Sequence, residues 1–287
     1  MPPLDAPPPA TGTRDDSTTP SEPASRTSVD PPPAGRALRS APERREIALV
    51  LGLVLLLNLL PGGLLQVASL RWGLLATQVF FVAAPALLAI RWFYLDVRAI
   101  LPLRPVGPMA LFGSVLGIVG LNHVLNNAQA WQERHFPMPE LWRRLFEDLT
   151  AHEGALDFML LLILVGVVPG VCEELLFRGF VQAGLRKTFE SDTKAIVVGS
   201  LLFAGFHLNP WSFPFLVMIG LFLGVLVQRT GSLVPAMIAH ALNNILSLLL
   251  ASLADPAQDA VVRSPVSHLV ACGCLAVSLL LLRRAPA

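Results

Sequence analysis

Glu173, Glu174 and Arg178 stand in an otherwise oily run, Val171-Cys172-Glu173-Glu174-Leu175-Leu176-Phe177-Arg178, and two further apolar segments carry His207 and the pair His240 and Asn244. Ionisable groups at membrane depth cost about 2.5 kcal/mol or more each, so they are kept where they face a cavity and do chemistry or transport. Glu174 and Arg178 are four residues apart and can pair on one helical face, an internal ion pair that holds a site in register. Glu173 is turned about 100° away from Glu174 by helix geometry and is left free to act on something else. His240 and Asn244 are also four apart, so an imidazole and a carboxamide point the same way, a donor pair suited to a developing oxyanion. Glu173 can take a proton from a water that His207 orients. Equally, Glu173, His207 and His240 can ligate a divalent, zinc-like ion with a water in the open position. The residues leave both mechanisms open.

The elements that must position these groups are membrane helices. Of 287 residues 54% are hydrophobic and 14% charged, a balance that fits a polytopic membrane protein. The expected fold is all-α, a transmembrane bundle of about eight spans near 47–67, 74–94, 108–128, 156–188, 194–209, 212–229, 232–252 and 266–282. The fourth is long and carries Pro169-Gly170, where a kink or break is expected, and the fifth is short. Residues 1–46 are rich in Pro, Ser and Thr, and read as a disordered cytoplasmic tail ahead of a transmembrane domain over 47–284. No apolar run follows Met1, so a secretory signal peptide is not expected. The net charge of +1 argues against a nucleic-acid partner. Three cysteines, Cys172, Cys272 and Cys274, read as small packing residues. Loop arginines and lysines at 36–45, 91–104, 186–194, 229 and 283–284 fall on one side of an eight-span chain, which places both termini in the cytoplasm and the protein in the cell inner membrane.

Spacing brings the fourth and fifth spans into register. Glu173 lies 18 residues before Ser191 and His207 lies 16 after it. An antiparallel hairpin turning there sets both at nearly one depth, about 25 Å from the turn. Gly113/Gly117, Gly166/Gly170 and Gly220/Gly224 have the small-xxx-small spacing that lets helix backbones approach. A second polar cluster, Asn122, His123, Asn126, Asn127 and Gln129, either lines the same cavity or hydrogen-bonds between helices. Residues 139–150 alternate as an amphipathic helix, suited to the membrane interface or to packing on the bundle. Buried charge also suits a transporter, although no repeat in hydropathy is evident. A non-enzymatic scaffold or immunity protein would use the same cavity to bind a partner.

Taken together, Glu173-Glu174-x-x-x-Arg178, Phe203-x-x-x-His207 and His240-x-x-x-Asn244 resemble the CAAX protease and bacteriocin-processing (CPBP, or Abi) intramembrane proteases, which include the Ras-converting prenyl endopeptidase. The resemblance covers about 155–250 and the first three spans share only hydropathy. It implies an eight-helix bundle with a conical cavity and a membrane endopeptidase acting on a protein or peptide at the bilayer. By position, Glu173 resembles the general base with His207 beside it, Glu174 and Arg178 the supporting pair, and His240 and Asn244 the oxyanion stabilisers. The family has been described both as metalloproteases and as metal-independent glutamate proteases. Its bacterial members are tied to prenyl-protein-like cleavage, bacteriocin maturation or immunity, and processing of membrane anchors.

Overall fold

The computed structural model describes residues 37–252 and 264–283; of the tail expected over 1–46, residues 1–36 lie outside them. The described chain is helical. Its elements are α1 (Arg44–Ala68), α2 (Leu70–Trp92), α3 (Pro108–His135), α4 (Glu140–Thr150), α5 (Gly154–Phe189), α6 (Asp192–Phe206), α7 (Phe213–Thr230), α8 (Val234–Ser252) and α9 (Pro265–Arg283). Seven of these are long and apolar enough to cross a membrane. The fifth expected span, α6, is not among them; it has 15 residues, about 22 Å at helical rise. Large side chains such as Leu64, Phe80, Leu88, Phe112, Leu156 and Leu269 are exposed, which is what a lipid-facing surface requires.

Residues 37–46, read from sequence as tail, are tied to the bundle. Arg39 donates to Glu46 at 2.7 Å and to the carbonyl of Phe93 at 2.9 Å, and its strand-like bridge to Leu95 joins the start of the chain to the end of α2. The Glu46 hydrogen bond raises the already high Arg39 pKa, keeping the pair charged.

Pro169 does not break α5. The helix runs on through a π turn at Leu162–Val167, the proline enters at the start of the next α segment, and a second π turn follows at Leu175–Val181. A proline cannot donate to the carbonyl four residues earlier, here Val165. Asn244 of α8 donates its Nδ2 to that oxygen at 3.4 Å. A neighbouring helix thereby compensates the lost bond, as membrane helices require.

Lipid tails are as apolar as leucine, so helices associate through close packing and hydrogen bonds rather than through hydrophobic transfer. The three glycine pairs serve this. A Cβ on Gly170 would stand 2.7 Å from the backbone nitrogen of Ala241, and one on Gly166 2.7 Å from Ile245, so α5 and α8 touch there. On α7, Gly220 and Gly224 face Ser200 and Ile196 of α6 in the same way, and on α3, Gly113 and Gly117 face Leu281 and Ser278 of α9. The α5–α6 turn is set by Glu190 in the left-handed region, φ 50°, and by the Ser191 side chain accepting from the Lys194 amide. One apolar core joins α1, α2, α5 and α6 around Leu176, Phe180 and Phe203; a second joins α3, α7, α8 and α9 around Ile118, Leu223 and Leu226.

The helix at 140–150 forms, and its Leu141, Leu145 and Phe146 stay exposed. Of the two sequence readings, that disposition favours the membrane interface over packing on the bundle.

Candidate active site

Close contact between α5 and α8 and the tight α5–α6 turn bring three helices together at one depth. Glu173 Oε2 lies 3.8 Å from His207 Nε2 and 3.8 Å from His240 Nε2. The register argument from the Ser191 turn therefore holds in space.

Each ring is oriented by its other nitrogen. His207, at the C-terminal end of α6, donates Nδ1–H to the carbonyl of Phe203 at 2.9 Å, which satisfies one of the helix's last carbonyls. His240 donates Nδ1–H to Glu174 Oε1 at 2.9 Å. Both Nε2 atoms are thereby turned toward Glu173, a placement fixed by hydrogen bonds away from the reacting edge. Leu208, directly after His207, sits at φ 51°. That conformation is unfavourable for a branched side chain, and it turns the chain away at the end of α6.

Glu174 is fully buried and serves two partners with one oxygen. Arg178 reaches Oε1 at 2.8 Å and His240 reaches the same atom. Arg178 also donates to the carbonyl of Gly220 at 3.3 Å and lies 4.3 Å over the ring of Phe203. Phe203 is the common neighbour, edge-on to His207 at 4.8 Å and to His240 at 5.6 Å between ring centroids. The carbonyl of Gly220 is within reach because that residue has no side chain to hold α7 away from its neighbours.

Sequence reasoning missed Gln78. This residue of α2 is buried and donates Nε2–H to Glu173 Oε1 at 2.7 Å. The signal was present as the single carboxamide between Gln66 and Asn122, inside a helix otherwise made of apolar residues, Arg71, Thr77 and Arg91. Asn244, by contrast, is not joined to His240 by a hydrogen bond among the described residues; it holds Val165 and accepts from Asn243 at 3.3 Å. Of the Asn122 cluster, Asn122 reaches across to α8, while Asn126 and Asn127 bond back to Asn122 and His123 within α3. Asn122 donates to Ser247 and to Asn243 at 3.1 Å each, and Asn126 donates to Asn122 at 2.8 Å.

Buried polar atoms without a partner among the described residues are few, and three lie here: Gln78 Oε1, Glu173 Oε2 and Glu174 Oε2. Such atoms ordinarily find water or ligand. The His207 side chain is 31% exposed while that of His240 is 4%, so the site opens on the His207 side. Among the described residues no three His, Cys, Asp or Glu side chains are gathered as a metal site. Ligand atoms around a tetrahedral zinc ion at about 2.1 Å lie about 3.4 Å apart. The gaps of 3.8 Å would have to close for an ion to be held. The same separation suits a water at about 2.8 Å from both Oε2 and an Nε2, once the enclosed Oε2 is opened to it.

No curated protein and no solved structure matches the chain. A family model does: that described as type II CAAX prenyl endopeptidase Rce1-like matches residues 155–246, about a third of the chain. The matched segment contains Glu173, Glu174, Arg178, His207, His240 and Asn244 and leaves out Gln78. Over the helices that build this buried carboxylate–imidazole cluster, the chain is similar to the type II CAAX prenyl endopeptidases.

Proposed function

We propose that the protein is an intramembrane endopeptidase that hydrolyses a peptide bond of a membrane-associated protein or peptide, using a water activated by Glu173. The observation that carries this reading is the partnerless Glu173 Oε2, buried and faced by two imidazole Nε2 atoms at 3.8 Å. In that gap a water donates one proton toward Oε2 while His207 Nε2 accepts from or orients its second O–H. As the water oxygen attacks the scissile carbonyl carbon, its proton passes to Oε2. The carbonyl oxygen becomes an oxyanion. The C–N bond then breaks as the proton on Glu173 is delivered to the leaving nitrogen.

His240 and Asn244 are the proposed oxyanion donors. His240 can donate from Nε2 only as a doubly protonated ring, because Nδ1 already holds a proton against Glu174; the adjacent carboxylate is the group that stabilises such a cation. The bond of Asn244 to Val165 is long at 3.4 Å, and the amide gives it up or shares it when it turns toward substrate. Closing the site around substrate lowers the local dielectric and strengthens each of these donors.

The test is comparative proteomics of membranes from cells carrying the wild type, Glu173→Ala or His207→Ala. One species should persist uncut in both variants while each variant protein still inserts. A cleavage pattern identical to wild type in either variant overturns the assignment, and one in which Glu173→Ala still supports the cellular phenotype favours a scaffold. In detergent, cleavage of the species so identified should survive a chelator. Loss of activity that added zinc restores would mean that the three side chains close on an ion.

A further inference from the structure

We infer that Gln78 of α2 is a positioning residue for Glu173, one that commits Oε1 and leaves Oε2 as the only oxygen available to the water. The inference rests on the reading of Glu173 as the base, and it adds a helix that lies outside the segment matched by the family model.

A carboxylate in a membrane bundle has two equivalent oxygens and a soft final torsion, so left alone it rotates between them. Here one oxygen is held. Gln78 Nε2 is 2.7 Å from Oε1, and both residues are more than nine-tenths buried. The donor is unambiguous, since an ionised carboxylate only accepts; the amide must present nitrogen to it. A hydrogen bond to a charged group is about twice as strong as one between neutral groups. It therefore fixes the plane of the carboxylate. The two imidazoles approach from the opposite oxygen, each 3.8 Å from Oε2. Four helices thus contribute to the carboxylate's setting: α5 carries it, α2 holds one oxygen, and α6 and α8 face the other.

The backbone around Gln78 is shaped for this. It lies in a π turn, Thr77–Ala83, where α2 carries an extra residue. Such turns re-aim side chains and often occur at functional sites. Thr77 folds its hydroxyl back onto the carbonyl of Gly73 at 2.6 Å and so does not compete for Glu173.

The experiment uses the full chain in detergent, with the species that accumulates uncut in Glu173→Ala membranes as substrate. Gln78→Met keeps the length and removes the donor. It should lower kcat about 10- to 100-fold with KM within about twofold. Gln78→Asn keeps the amide but is one methylene short, and its kcat should fall between those of Gln78→Met and wild type. Wild-type kcat in Gln78→Met, a loss confined to KM, or Gln78→Asn no better than Gln78→Met overturns the inference while leaving Glu173 as base. If no species accumulates in Glu173→Ala membranes, the underlying reading fails and this one with it.

Discussion

Asn122 and Glu173 both place polar groups inside apolar helices, and the bundle treats them in opposite ways. Around Asn122 the amides are spent on one another: Asn122 on Asn243 and Ser247, Asn126 on Asn122. Around Glu173 the bonds are made on the outer side of each group, and the inner side is left open. Gln78, Phe203 and Glu174 hold the far atoms of Glu173, His207 and His240, while Glu173 Oε2 has no partner. A saturated cluster specifies how helices pack. An unsaturated one retains somewhere for water and substrate to bind, and it persists only because the surrounding contacts over-determine it.

The widest separation between the two clusters is expected in activity. Glu173→Ala should reduce cleavage by about 100- to 10,000-fold, the range for losing a positioned base. Asn122→Ala should leave the rate within about twofold, because Asn122 touches no group in the gap. The same membrane-proteome comparison reads both. Equal losses in the two variants would erase the distinction drawn here.

Next in size is the stability cost of opening the ion pair under the site. Arg178 and Glu174 are 3% and 0% exposed at their side chains, and Arg178→Ala leaves a buried carboxylate with only His240. Breaking a buried pair by removing one partner costs about 3–5 kcal/mol. A lower melting temperature in detergent should accompany the loss of activity, since His240 loses the charge balance that orients it. An unchanged melting temperature would mean that Glu174 takes up a proton or a water at little cost.

These contrasts were partly legible in the sequence. The Glu174–Arg178 pair follows from four-residue spacing, and the possibility of Glu173 meeting His207 from their similar distances, 18 and 16 residues, to Ser191. Both are consequences of helical rise, which holds whatever the neighbours are. What spacing cannot give is rotation about the helix axis. That is why spacing does not show the amide of Asn244 reaching Val165, and why it does not point to Gln78, whose span has no motif to set it against Glu173. Of the kink or break expected at Pro169, the break does not occur, for a related reason. A proline's missing N–H is a local fact, but whether the helix ends there depends on a π turn and on an amide reaching over from α8.

The smallest expected effect is also the sharpest test of whether the clusters are separate. In membrane bundles an interhelical hydrogen bond contributes about 0.6 kcal/mol on average and about 1.7 kcal/mol at most. Asn122→Ala should therefore cost about 1 kcal/mol in detergent unfolding, since Asn126 keeps its bond to the backbone carbonyl of residue 122 at 2.8 Å. One contact bridges the two regions, Asn243 Nδ2 to Asn244 Oδ1 at 3.3 Å. If Asn122 merely packs α3 on α8, its loss is felt in stability alone. If it also steadies Asn243, and through it the amide proposed to meet the oxyanion, kcat falls with stability. The double variant Asn122→Ala/Asn244→Ala separates these cases. Independent clusters make the two changes in kcat multiply. If Asn122→Ala alone slows kcat, a double variant no slower than Asn244→Ala alone makes the asparagines one network, reaching from α3 to the reacting carbonyl.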